Sequence, residues 1–158
     1  MHASVAVKCL SRMTPMTRKR LVVSFWEFSA CVYKQRESKR LLQIKLGISI
    51  DVVCAFRATF DISNNNLEAL INVSFVTFQR WQRKQKILNS VVSERLDRIA
   101  IVCQHAKEVF ESQEAAAIWM SSPNISFRNN APIMICLTEI GARQVRRVLH
   151  ALEWGSAA

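Results

Sequence analysis

The 158-residue chain contains little glycine and little proline, with three residues of each. Folds built from many short strands need many turns, and turns depend on these two residues. Their scarcity therefore argues against a hairpin-rich β fold. Half of the residues are apolar, which is enough to form a core and excludes a chain disordered by composition. The sequence predicts one compact domain, or two small ones sharing a core, built from long helices.

Metal-binding and enzyme motifs are also missing. The five cysteines, an odd number, form no CxxC pair and no zinc-binding pattern, which favours reduced thiols in a cytoplasmic protein. There is no P-loop, GxGxxG, HExxH or GxSxG motif, and the three histidines lie in three different segments. We therefore expect a protein that is not an enzyme and that needs no metal and no cofactor.

Acidic residues are few, 12 against 22 Lys and Arg, so the formal net charge is +10. Residues 1–47 hold ten of the basic residues and only two acids. Such a segment suits a phosphate-rich partner or an anionic surface, although a solvated arm is the alternative. The short apolar run after Arg20 is interrupted by Glu27 and cannot span a bilayer, which argues against export. We leave residues 1–46 as a basic N-terminal extension without an assigned structure.

Three helices are predicted between residues 47 and 88. Apolar residues within 48–60 stack on one side of a first helix, and Ser63 is suited to cap a second. Asn72 suits the positive φ of a tight turn, and a third helix begins at Ser74. In this third helix we expect Phe78 and Trp81 to face inward. The side chains expected to face outward are Phe75, Thr77, Gln79 and Arg80.

The outward face of that third helix is a candidate DNA-reading surface. Gln79 and Arg80 suit adenine and guanine edges, and the basic residues after them suit phosphates. Phe75 and Val76 instead suit thymine methyl groups or a second protein. The candidate DNA-binding residues are Ser74, Phe75, Thr77, Gln79, Arg80, Arg83 and Lys84.

A long helix is predicted over residues 89–112, capped by Asn89 or Ser90. Its apolar residues recur at alternating steps of four and three, which indicates either a core stripe or a dimer seam. The members of this stripe are Val92, Leu96, Ile99, Cys103, Ala106 and Phe110. His105 lies off the stripe, and we expect it to be structural.

The last predicted helix is amphipathic. Val145, Val148, Leu149 and Leu152 form an apolar face. A basic set with the same spacing lies roughly opposite, namely Arg143, Arg146, Arg147 and His150. Taken alone, such a helix is a solvated surface helix with its apolar side in the core.

In residues 115–155, tryptophan, proline and glycine occur in a fixed order with their neighbours. The order runs Trp119-Met120, Pro123-Asn124, Pro132, Gly141-Ala142, Val145 and Trp154-Gly155. It resembles the C-terminal toxin-binding domain of Xre/MbcA/ParS-type antitoxins. A glycine pair usual in that family is replaced here by Arg128-Asn129-Asn130. The helices of residues 47–88 resemble the Xre-type helix-turn-helix of the same family, and residues 93–96 match its S-E-R-L.

The resemblance implies an all-α antitoxin of a type II toxin–antitoxin system. It implies that the chain binds and occludes an NAD-consuming RES-type toxin, represses its own operon by binding operator DNA, and forms a homodimer within a larger complex. The implied toxin-binding residues are Arg143, Arg146, Arg147, His150, Trp154 and Gly155. The alternatives are a DNA-binding regulator without toxin neutralisation and a protein-interaction module that no longer binds DNA.

The predicted organisation has four parts. They are the extension at 1–46, the Xre-like helix-turn-helix domain at 47–88, the connecting helix at 89–112 and the toxin-binding domain at 113–158.

Overall fold

The structure, a computed structural model, describes the backbone of residues 15–155 and the side chains from Thr17 onward. The first fourteen residues of the predicted extension and the last three of the predicted toxin-binding domain lie outside the described residues. Within 15–155 the regular structure is helical, which confirms the predicted all-α class. The helices are α1 (Pro15–Lys34), α2 (Glu37–Leu46), α3 (Ile50–Phe60), α4 (Asn64–Ile71), α5 (Phe75–Arg83), α6 (Ser90–Phe110), α7 (Gln113–Ser121), a 3₁₀ turn (Ile125–Phe127), α8 (Pro132–Ile135) and α9 (Glu139–Gly155).

Short polar residues determine where these helices begin. The side chains of Ser63, Ser74 and Asn89 each accept a hydrogen bond from the backbone N–H three residues later. Such caps satisfy donors that a helix leaves unpaired, and each contributes about 1 kcal/mol. Asn72 ends α4 with a left-handed φ of 56°. The predicted caps and the predicted turn residue are therefore confirmed.

Helix α6 lies at the centre of the fold and packs against α1, α2, α7 and α9. Its predicted apolar stripe is buried within the chain from Val92 to Ala106, and Phe110 is partly buried. Because these side chains already contact other helices of the same chain, the stripe is a core stripe. The alternative prediction, that these residues of α6 form a dimer seam, is wrong.

Residues 15–46 form two helices, of which α1 belongs to the core and α2 packs against α6 without a buried residue of its own. Phe25 and Trp26 of α1 are buried among Phe56 and Phe60 of α3, with ring centroids 5.1–6.4 Å apart. The buried hydroxyl of Ser29 donates to the carbonyl of Ala100 in α6 at 2.7 Å. The alternative of a solvated arm is therefore wrong for this part of the predicted extension.

Helix α2 is attached to α6 by an ion pair. The guanidinium of Arg40 donates to both carboxylate oxygens of Asp97, with the shortest distance 2.6 Å. The Asp97 side chain is only 5 % exposed, so Arg40 is the group that balances a buried charge. This hydrogen bond to Asp97 raises the pKa of Arg40.

Over residues 15–155, no helix has the length and apolar content that crossing a bilayer requires.

Candidate functional site

Helix α9 lies on α6 through its apolar side. Ala142, Val145 and Leu149 are fully buried, and Val148 is half-buried. Leu152, predicted as part of the same face, is 39 % exposed. The apolar face therefore fixes the first three turns of α9 in the core, while its last turn projects from the fold.

The start of α9 is positioned by Gly141. A Cβ at this position would collide with the carbonyl oxygen of Ile135 in α8. The Gly141 N–H donates to the Thr138 hydroxyl at 3.0 Å, which completes the first turn of the helix. The Gly-Ala pair 141–142 thus has a packing role, because only small residues allow α9 to approach α8 and α6 this closely.

The predicted arginines of α9 differ in their surroundings. Arg143 and Arg147 are exposed. Arg146 is half-buried and donates to the Glu139 carboxylate at 2.6 Å. The other Glu139 oxygen lies 3.5 Å from Nε of Arg98 in α6. Arg146 therefore has a partner within the chain, and Arg143 and Arg147 are the better placed of the three for contact with another molecule.

An open groove of about 700 Å³ lies beside Arg147. It brings together Arg147 and Val148 of α9, Ile135 of α8, and the loop residues Phe127 and Arg128. Two guanidinium groups thus border a groove that also has apolar side chains. Such a surface suits an acidic group carried on an apolar segment, because guanidinium forks pair well with carboxylates. Arg128 was not among the predicted site residues.

The loop before α8 has a left-handed backbone at two residues that are not glycine. Arg128 and Asn129 have φ values of 55° and 62°, a left-handed conformation that glycine adopts readily. The loop keeps the left-handed backbone that glycine favours while presenting an arginine to the groove.

Helix α9 ends with an exposed aromatic residue. Trp154 is 76 % exposed, and Gly155 after it is exposed as well. His150 was predicted to lie on the face of the arginines. It is exposed, and its ring stands 4.5 Å from the ring of His105 in α6, measured between centroids. Sequence reasoning missed this pair because the two histidines lie in separate segments.

The candidate DNA-reading helix α5 follows α4 after a short turn. Phe78 is buried and Trp81 is half-buried, as the spacing predicts. Phe75 was expected to face outward, and this is wrong. Its ring is half-buried, stacks on Phe78 at 5.9 Å and lies under the Arg57 guanidinium at 4.9 Å. Phe75 therefore helps to attach α5 to the core.

The exposed part of α5 is basic at its C-terminal end. Arg80, Arg83 and Lys84 are exposed, and Val76 is 72 % exposed. Gln79 and Thr77 are half-buried. The Ser74 hydroxyl donates to Thr77 Oγ1 at 3.0 Å and caps the helix. Ser74 and Thr77 thus help to form the start of the helix, while the basic residues are the ones open to a partner.

Comparison with known proteins gives one family match and one similar curated protein. The family model of the antitoxin Xre/MbcA/ParS C-terminal toxin-binding domain matches residues 105–155. The match begins inside α6 and includes α7, α8 and α9. A similar curated protein is "Antitoxin Xre" of Yersinia enterocolitica serotype O:8 / biotype 1B (strain NCTC 13174 / 8081). It is 26% identical over 113 residues, which cover 71% of this chain and 76% of that protein.

The family match and the similar protein both support an antitoxin role in a toxin–antitoxin system. The two findings support the predicted resemblance to Xre/MbcA/ParS-type antitoxins, and the family match itself covers residues 105–155. The description of the matched domain implies a toxin as the partner of residues 105–155.

Proposed function

We propose that the chain neutralises an NAD-consuming RES-type toxin by occluding its active site, and that it represses its own operon by binding operator DNA. The observation that carries the toxin part is the arrangement around α9. Arg128 and Arg147 border one groove, and the helix ends in the exposed Trp154.

Occlusion needs a rigid element that presents a few strongly binding side chains. The buried residues of α9 hold the helix against α6, so little ordering remains to be done when the toxin binds. Trp and Arg are the residues most enriched among the contacts that dominate protein interfaces. Arg143, Arg147, Trp154 and Gly155 would contact the toxin, with Arg128 added to the predicted set. Arg146 and His150 would act by supporting this surface.

The toxin part is tested by measuring intracellular NAD in cells that express the neighbouring toxin gene with or without this chain. We expect NAD to collapse with the toxin alone and to recover with the chain. Trp154→Ala combined with Arg147→Ala should abolish the recovery. Arg83→Ala on α5 is the control and should leave it intact. If the double variant protects as well as the natural chain, the proposed surface is wrong.

The structure also decides which variant can separate neutralisation from its alternative, a regulator without a toxin. Removing residues from Gly141 onward would delete Ala142, Val145 and Leu149, all of which are buried. Such a truncation would unfold the protein, so a loss of neutralisation could not be attributed to the toxin-binding surface. The exposed Arg147 and Trp154 are therefore the positions to change.

For the operator part, the support is the exposed basic end of α5 after a short helix-turn arrangement. Arg80 would reach base edges, and Arg83 and Lys84 would hold phosphates. Binding to the upstream region of the gene should be followed by fluorescence anisotropy at several salt concentrations. Arg80→Ala should cost about 1–3 kcal/mol on the operator, and Lys84→Ala should reduce the salt slope by about one. Unchanged affinity and unchanged slope in both variants would exclude this helix as the DNA-binding element.

A homodimer is the remaining part of the proposal, and the buried α6 stripe cannot supply its interface. Support comes from apolar side chains that are exposed along α2 and near the start of α6, namely Leu41, Leu42, Leu46, Ile87 and Val91. Light scattering after size exclusion should give a dimer for the natural chain. Leu42→Glu with Leu46→Glu should give a monomer, whereas Val23→Glu on α1 should not change the mass. A dimer that survives the double change would rule out this interface.

A further inference from the structure

Three potential metal ligands converge between the central helix and the last helix. His105 lies on α6, and His150 and Glu153 lie one turn apart on α9. One ligand atom from each residue lies within 4.8 Å of the other two. Nε2 of His105 is 3.8 Å from a Glu153 carboxylate oxygen, and Nδ1 of His150 is 3.5 Å from the same oxygen.

These distances are too long for good hydrogen bonds, which join nitrogen and oxygen at about 2.7–3.2 Å. They are close to what a shared cation requires. Zinc binds imidazole nitrogen at about 2.0–2.1 Å and carboxylate oxygen at about 2.0–2.2 Å, so tetrahedral ligands lie about 3.3–3.5 Å apart. Small side-chain rotations would bring the three atoms to that spacing.

The ligand set is chemically selective. Two imidazoles and one carboxylate suit zinc and neighbouring transition metals better than Mg²⁺ or Ca²⁺, which prefer oxygen ligands throughout. We propose that His105, His150 and Glu153 form a binding site for a divalent transition metal such as Zn²⁺, with water in the fourth position. The exposure of His150 and Glu153 leaves that position open to solvent.

The fold supports such a site. His105 is largely shielded from solvent, with only 13 % of its side chain exposed, and it sits on the rigid central helix. His150 and Glu153 share one side of α9 because they are three residues apart. The ion would thus connect α6 to the last turns of α9, next to Trp154. Since the site needs the folded arrangement of both helices, metal binding would stabilise the folded chain.

The test uses the full chain without a polyhistidine tag, treated with a chelator and dialysed. Other ligands are removed by the background changes His2→Gln, Cys9→Ser and Cys31→Ser. Calorimetric titration with Zn²⁺ should give one ion per chain. His105→Gln, His150→Gln and Glu153→Gln should each weaken binding by at least about tenfold, since first-shell ligands matter no less than the outer-shell groups that support them. Circular dichroism would verify that each variant is folded.

Glu111→Gln is the matched control. Glu111 directly follows α6, is exposed and is outside the cluster. This variant should bind Zn²⁺ like the background protein. A rise in Tm with added Zn²⁺ should occur in the background and control proteins and be lost in the three ligand variants. No binding at about 100 µM Zn²⁺ would overturn the proposal. Equal Zn²⁺ binding by the background protein and the three ligand variants would also overturn the proposal. Neither result depends on the toxin.

Discussion

Gly141 in α9 faces the backbone carbonyl of Ile135 in α8 so closely that the position has no room for a side chain. This close contact holds the start of α9 against α8. A methyl group there must push α8 and α9 apart, and overpacking of this kind typically costs about 1–3 kcal/mol.

We therefore expect Gly141→Ala to lower the free energy of unfolding by at least about 2 kcal/mol, despite the better helix propensity of alanine. Urea denaturation followed by circular dichroism would measure it. Gly155→Ala is the matched control, because a Cβ there meets nothing within 4 Å. If both changes have equal effects, the close packing of Gly141 is not what determines its identity.

Arg128 offers the opposite case, a residue whose replacement by glycine should stabilise the fold. Its left-handed φ of 55° costs a non-glycine residue about 1–2 kcal/mol, and the extra freedom of glycine in the unfolded chain offsets part of this. We expect Arg128→Gly to raise the free energy of unfolding by about 0.5–1 kcal/mol. In cells that express the neighbouring toxin, Arg128→Gly should also restore less NAD than the natural chain does. A variant that is more stable and neutralises fully would remove Arg128 from the proposed surface.

The pair formed by Arg40 and Asp97 should be essential to the attachment of α2. Arg40→Ala would leave the Asp97 carboxylate buried without its partner, and we expect a loss of about 2–4 kcal/mol. Arg36→Ala, an exposed change outside the helices, is the control and should be nearly neutral. The double variant Arg40→Met with Asp97→Leu should recover much of the loss, because both charges are then gone. A double variant no better than Arg40→Ala would contradict this explanation.

The cysteines should differ strongly in reactivity. Cys31 is exposed, whereas Cys54, Cys103 and Cys136 are buried. Burial raises the pKa of Cys136 to about 12 and that of Cys103 well above its usual value, so neither forms appreciable thiolate at pH 8. With iodoacetamide at pH 8, peptide mass spectrometry should find Cys31 alkylated in the folded chain and Cys103 and Cys136 alkylated only after denaturation. Equal labelling in the folded chain would show that the core opens readily.

Local signals in the sequence predicted much of the fold. Helices α3 to α6 and α9 follow from capping residues and apolar periodicity, which act over a few residues. No structure is predicted for α1, although its buried residues Leu21, Phe25, Ser29 and Val32 recur at helical spacing. Phe25 and Trp26 lie side by side in this helix. Their burial depends on α3, which supplies Phe56 and Phe60. The inward turn of Phe75 likewise depends on Arg57, and the meeting of His105 with His150 depends on how α9 packs on α6.

The most direct test of the central claim is the NAD level in cells that express the neighbouring toxin together with Trp154→Ala/Arg147→Ala or with the natural chain. Our account predicts that the natural chain restores NAD and that the variant, although folded, leaves it depleted. Steady NAD with the toxin alone would contradict an NAD-consuming partner. Equal rescue by both chains would contradict neutralisation through the end of α9.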